Sequence, residues 1–134
     1  MKLVTYQPAG AGPQLGAVVD EMVINLAQAS GGRLPNDMRS FLEMGEPALA
    51  LAREIVDKGA DAHALPLGSV KVLAPIRNPS KVIAIGLNYM DHVREQGMKP
   101  PALATMFTKY PSAIVGPGEA IRWDPALTNK VDYE

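Results

Sequence analysis

Histidine occurs twice in the chain, and His92 is the one with chemistry around it: Asp91, Arg94 and Glu95 all lie within three positions. In a helix, His92 and Glu95 share a face with their β-carbons roughly 5–6 Å apart, so the carboxylate can orient the imidazole and raise its basicity. Such a pair is a usable general acid–base dyad. The same residues also describe an ordinary solvated helix with ion pairs, and their spacing alone does not separate the two. Asp132 and Glu134 stand two apart in a strand-like run. They would point the same way at roughly 7 Å and offer carboxylate oxygens to a hard cation. The alternative is a solvated acidic strand face. Lys109 ends the run Met106-Phe107-Thr108-Lys109, where an ammonium can bind a substrate carboxylate or a developing enolate, or simply solubilise a strand end. His63 has only Asp61 near it, and the methionines read as core fillers.

The elements that must position these groups fall into two stretches. Residues 2–6, 15–19 and 22–26 are β-like runs, and Asp20 and Glu21 between the last two predict a hairpin turn. Asn36 or Asp37 can cap a helix running to Met44 and stopped at Gly45. A second helix is signalled by Pro47 in its first turn, Leu51 and Ile55 one turn apart, and Lys58-Gly59 at its end. Residues 61–68, with Pro66, predict a linker, and a boundary near residue 69 separates a small N-terminal domain (1–69) from a second region (70–134). In that second region residues 70–73 predict a short strand. Residues 81–86 hold a run of four apolar residues flanked by turn signals, which predicts a strand covered on both faces. Residues 88–96 predict a short helix that Pro100 and Pro101 prevent from continuing. Strand-like pieces follow at 105–109 and 113–115, and residues 131–134 resemble the opening of a strand, so the chain is expected to be a fragment.

Composition narrows the function classes. Thirteen basic residues against fourteen acidic give no basic surface for nucleic acid. No stretch approaches the ~20 apolar residues of a membrane helix. The absence of cysteine excludes disulfides, thiolate metal sites and a cysteine nucleophile, and it is compatible with a cytoplasmic location. No glycine-rich phosphate loop is present.

Three ordered blocks carry a resemblance. Ile83-Ala84-Ile85-Gly86-Leu87-Asn88-Tyr89-Met90-Asp91-His92-Val93-Arg94-Glu95 is the first. Phe107-Thr108-Lys109-Tyr110-Pro111-Ser112-Ala113-Ile114-Val115-Gly116-Pro117-Gly118 is the second, and Val131-Asp132-Tyr133-Glu134 the third. Together they resemble the fumarylacetoacetate hydrolase family, in its bacterial acylpyruvase and 2-hydroxyhepta-2,4-diene-1,7-dioate isomerase-like members. The resemblance is clear over residues 70–134, and residues 1–69 look like the small N-terminal region of such proteins. It implies an α+β fold: a β-rich N-terminal region with two helices, then the beginning of a truncated mixed β-roll. It implies a metal-dependent enzyme that cleaves carbon–carbon bonds in β-diketo or acylpyruvate-type acids, with decarboxylase or isomerase chemistry, or a non-catalytic assembly fragment, as alternatives. By this resemblance His92 is the base that activates water, Glu95 its partner, Lys109 the substrate-facing lysine, and Glu134 the first ligand of Mg²⁺ or Mn²⁺. Further ligands are expected beyond the chain, which alone is expected to be inactive. A small keto acid is the expected substrate and a homodimer the expected assembly, with neither nucleic acid nor membrane as partner.

Overall fold

The computed structural model describes residues 1–59 and 61–131, so Asp132 and Glu134 lie outside the described residues. The fold is α+β and divides into two compact units, residues 76–114 and the remainder.

The first unit is built on an antiparallel sheet. Strands β1 (Lys2–Gln7), β2 (Gln14–Val19) and β3 (Met22–Asn25) form a meander, flanked by β4 (Ala64–Pro66) beyond β3 and β5 (Lys71–Leu73) beyond β1. The β2–β3 hairpin turns on Asp20 and Glu21, as expected, with Asp20 at a φ of 49°, which aspartate tolerates better than most side chains. One segment differs from expectation: residues 64–66 are a strand rather than part of a linker, and Pro66 pairs with Met22 at the sheet's edge, where its missing amide costs little. The short strand expected at 70–73 forms as β5 and closes the sheet on its other side by pairing with β1.

Strand register sorts the side chains into two faces. Val4, Tyr6, Gly16, Val18, Val23 and Val72 share one face, and Leu15, Ala17 and Ile24 lie on the other. On the first, Val4, Tyr6 and Val23 are buried, with Leu67 and Val70 packed against them. A side chain at position 16 would force a neighbour to shift. A β-carbon there would stand 2.5 Å from a Val23 methyl, 2.8 Å from the Tyr6 ring and 3.0 Å from the Ile24 carbonyl oxygen.

Three helices accompany the sheet. Asn25 caps α1 (Leu26–Ala29), accepting from the Gln28 amide at 2.9 Å; no sequence signal had marked this short turn. Asp37 caps α2 (Met38–Glu43), accepting from the Ser40 amide at 2.9 Å, while Asn36 accepts from the Leu15 amide at 3.3 Å instead. Helix α3 (Glu46–Lys58) carries Pro47 in its first turn and buries Ala48, Ala52 and Ile55, packing on β2 and α1. Burial raises the Tyr6 hydroxyl's pKa, partly offset by its bond with Asn25.

The second unit holds β6 (Val82–Gly86), α4 (Met90–Glu95) and β7 (Thr105–Lys109), followed by a 3-10 turn at Pro111–Ala113; the strand expected at 113–115 does not form. β6 and β7 pair antiparallel with each other alone among the described residues. The coverage of both faces expected for 81–86 is therefore not met: Ile83 and Ile85 are 60% and 42% exposed.

Two substitutions test this account. Gly16→Ala forces Val23, Tyr6 or the β3 backbone to move and should destabilise the chain by about 1–3 kcal/mol, read as a lowered urea midpoint. Hydrogen bonds from Ser40 hold the Asp37 carboxyl below its usual 3.8. Its contribution is thus fully present above that value and lost as pH falls through the lower folded value. Asp37→Ala should cost about 1 kcal/mol at neutral pH and progressively less below pH 4, measured by urea melts across pH.

Candidate acid–base site

The second unit presents His92 on a helix whose ends are both defined. β6 delivers the chain to Leu87, whose φ of 52° lies in the left-handed region that costs a branched side chain roughly 1 kcal/mol. That turn re-aims the backbone into α4 within three residues. At the far end Gly97, at φ 63°, adopts the left-handed conformation. Its amide bonds the Arg94 carbonyl at 3.0 Å and the Met98 amide bonds that of Val93 at 3.0 Å. This is a Schellman closure, and it ends the helix before Pro100 is reached. Val93 is 1% exposed and is the one buried residue among the described residues of this unit. It fixes which side of α4 faces inward, so the adjacent His92 is left at the surface.

His92 and Glu95 come together as an exposed ion pair. His92 Nδ1 lies 3.7 Å from Glu95 Oε2, with the two side chains 52% and 81% exposed. That separation is an ion-pair distance and too long for a hydrogen bond. On the ring's other edge the Gln96 side-chain amide nitrogen lies 2.9 Å from Nε2, a contact the sequence reading missed although the four-residue spacing allowed it. Asp91 and Arg94 pair with each other at 3.1 Å.

Lys109 is less closely tied to this group. It ends β7 opposite Val82, four residues along the ladder from the Gly86–Thr105 pair that leads toward α4, which is about 13 Å of strand. Its ammonium lies 5.3 Å from the centre of the Phe107 ring, a cation–π distance. Glu134 lies outside the described residues. Among the described residues no group of three histidine, aspartate or glutamate side chains is placed to hold a metal ion. The one ligand that the resemblance implies for Mg²⁺ or Mn²⁺, Glu134, is not among them.

The first unit has a hollow of about 390 Å³ lined by Arg33, Glu54, Ile55, Lys58 and His63, in which Glu54 and Lys58 pair with each other and lower the Glu54 pKa. No helix among the described residues is long and apolar enough to cross a membrane.

Comparison with known proteins shows what this fold and this pairing of imidazole and carboxylate resemble. Residues 81–134 match the fumarylacetoacetate (FAA) hydrolase C-terminal model, so this part of the chain carries the family resemblance seen in the sequence. Over its whole length the chain is 40% identical to the mitochondrial oxaloacetate tautomerase fahd2 of Xenopus laevis and 39% identical to the human mitochondrial oxaloacetate tautomerase FAHD2A. The chain spans about 42% of the length of those relatives. Among solved structures, a protein assigned as HpcE from Mycobacterium smegmatis superposes with a TM-score of 0.72 at 27% identity, covering 92% of this chain and 41% of that one. The maleylpyruvate hydrolase of Sphingobium sp. SYK-6, solved with manganese(II) and pyruvate, shares the fold at a TM-score of 0.59 and 23% identity, over 87% of this chain and 40% of its own.

The frame predicted to hold His92 is testable. Val93→Ala removes the one buried anchor of α4 and should speed amide exchange across residues 92–98 by about tenfold or more, while the first unit's amides remain protected. Unchanged exchange would show that α4 is held elsewhere.

Proposed function

We propose that this chain supplies the acid–base group of an enzyme acting on small 2-oxo acids, and that the reaction is interconversion of keto and enol forms. The observation that carries this reading is the half-exposed imidazole of His92, with Glu95 3.7 Å from Nδ1 and Nε2 directed away from it. In such a reaction His92 accepts a proton from the carbon beside the keto group and a proton is returned to the oxygen. Glu95 stabilises the imidazolium formed in between. Lys109 would face a substrate carboxylate. The relatives named as oxaloacetate tautomerases, which match the chain end to end, make an oxaloacetate-like diacid the first substrate to assay.

The second reading is hydrolytic cleavage of a carbon–carbon bond in an acylpyruvate or β-diketo acid, with His92 activating water. Its support is the family resemblance itself. Glu134 as a ligand of Mg²⁺ or Mn²⁺ belongs to both readings, and a bound cation would supply charge stabilisation of an enolate. No step assigned to His92, Glu95 or Lys109 runs through it. Homodimeric assembly and a cytoplasmic location complete the proposal, although the two relatives named above are mitochondrial.

The test is His92→Asn in the protein isolated from its own cells, assayed for keto–enol interconversion of oxaloacetate and for acylpyruvate cleavage. Loss of a general acid–base group should lower turnover on the true substrate by about 10²–10⁴-fold with KM little changed. Turnover unaffected on both substrates would remove His92 from the chemistry. A loss confined to acylpyruvate cleavage would establish the second reading over the first.

A further inference from the structure

Gln96 closes α4, and its backbone is held in place on both sides. Its amide bonds the His92 carbonyl at 3.2 Å, and the next two amides bond back to Arg94 and Val93 as described above. Being four residues beyond His92, its side chain lies on the same helical face. The imidazole is therefore bracketed, with the Gln96 amide nitrogen 2.9 Å from Nε2 and Glu95 Oε2 3.7 Å from Nδ1.

The two neighbours have opposite capacities. An amide nitrogen only donates, and an ionised carboxylate only accepts. A ring nitrogen that faces an amide N–H must present its lone pair, and a ring nitrogen that faces a carboxylate is best satisfied by carrying the proton. Both contacts select the same neutral ring, with hydrogen on Nδ1 and a bare Nε2. Unperturbed neutral imidazole favours the other form, so the selection runs against the ring's own preference.

We propose that Gln96 is a positioning residue that sets the tautomer of His92, holding the neutral ring in the Nδ1–H form so that Nε2 is the basic atom. The Gln96 amide and an incoming proton compete for the same lone pair. The amide must swing aside as the proton is taken up, which its exposed position permits. The consequence for catalysis rests on His92 being the proton acceptor proposed above; the tautomer itself does not.

Long-range proton–nitrogen correlation spectra of the uniformly ¹⁵N-labelled full chain, at a pH where both rings are neutral, read the tautomer directly. A His63→Gln sample assigns the two rings. In the unmodified chain Nε2 of His92 should resonate as the unprotonated nitrogen and Nδ1 as the protonated one. Gln96→Met keeps the length and helix propensity but removes the donor, and should shift the ratio toward Nε2–H by about threefold or more. Gln96→Glu offers an acceptor instead and should make Nε2–H the dominant form. Far-ultraviolet circular dichroism should be unchanged in both. An Nε2–H ring in the unmodified chain overturns the proposal, as does a ratio unmoved by Gln96→Met, which would leave Glu95 as the sole determinant. Because the spectra require no turnover, a positive result alongside a fully active His92→Asn protein would retain the positioning and reject the acid–base reading. The opposite pair of results would do the reverse.

Discussion

The absence of a side chain at position 16 is the constraint on which the first unit depends. Gly16 sits between Val4 on one neighbouring strand and Asn25 on the other. Its empty face is where the Tyr6 ring and a Val23 methyl come together. A larger residue there would force the Tyr6 ring, the Val23 side chain or the β3 backbone to shift. The register in turn decides which side chains reach the helices, because a one-residue slip would exchange the two faces of the sheet. Leu15, Ala17 and Ile24 stay buried on the helical side only while Val4, Tyr6 and Val23 occupy the other.

The second unit is stabilised differently. Two paired strands are marginal without a covered face, and residues 82–86 leave Ile83 and Ile85 largely open. Local backbone chemistry does more of the positioning there. The left-handed turn at Leu87, the left-handed Gly97 closure and the inward Val93 together define where α4 begins, where it ends and which way it faces. A site carried on so short a helix inherits its geometry from those end conditions more than from a core.

Elements with local signals were legible in the sequence. The Asp20–Glu21 hairpin, the Asp37 cap and the Pro47-to-Gly59 helix each rest on residues that act on their immediate neighbours. Features that depend on distant partners were not legible. Residues 64–66 carry a proline and read as linker, and they become a strand only because β3 offers an edge. The apolar run at 81–86 reads as covered, but coverage is a property of what packs on it. At the site, the His92–Glu95 pair followed from helical spacing, and Gln96 followed from the same rule one step further along. A neutral amide carries no charge that would single it out in a sequence, although its contact with the ring is the shorter of the two.

Exposure limits what the His92–Glu95 pair can do as it stands. Two unit charges 3.7 Å apart attract by about 1 kcal/mol in bulk water, and ordering two exposed side chains consumes much of that. At an effective dielectric of about 20 the same separation gives roughly 4 kcal/mol. The chemistry proposed for His92 would therefore require water to be displaced from the ring and carboxylate. Glu95 and Gln96, three and four residues beyond His92, both lie beside the ring on α4, so exclusion of solvent would strengthen the pair without any rearrangement of the backbone that carries it.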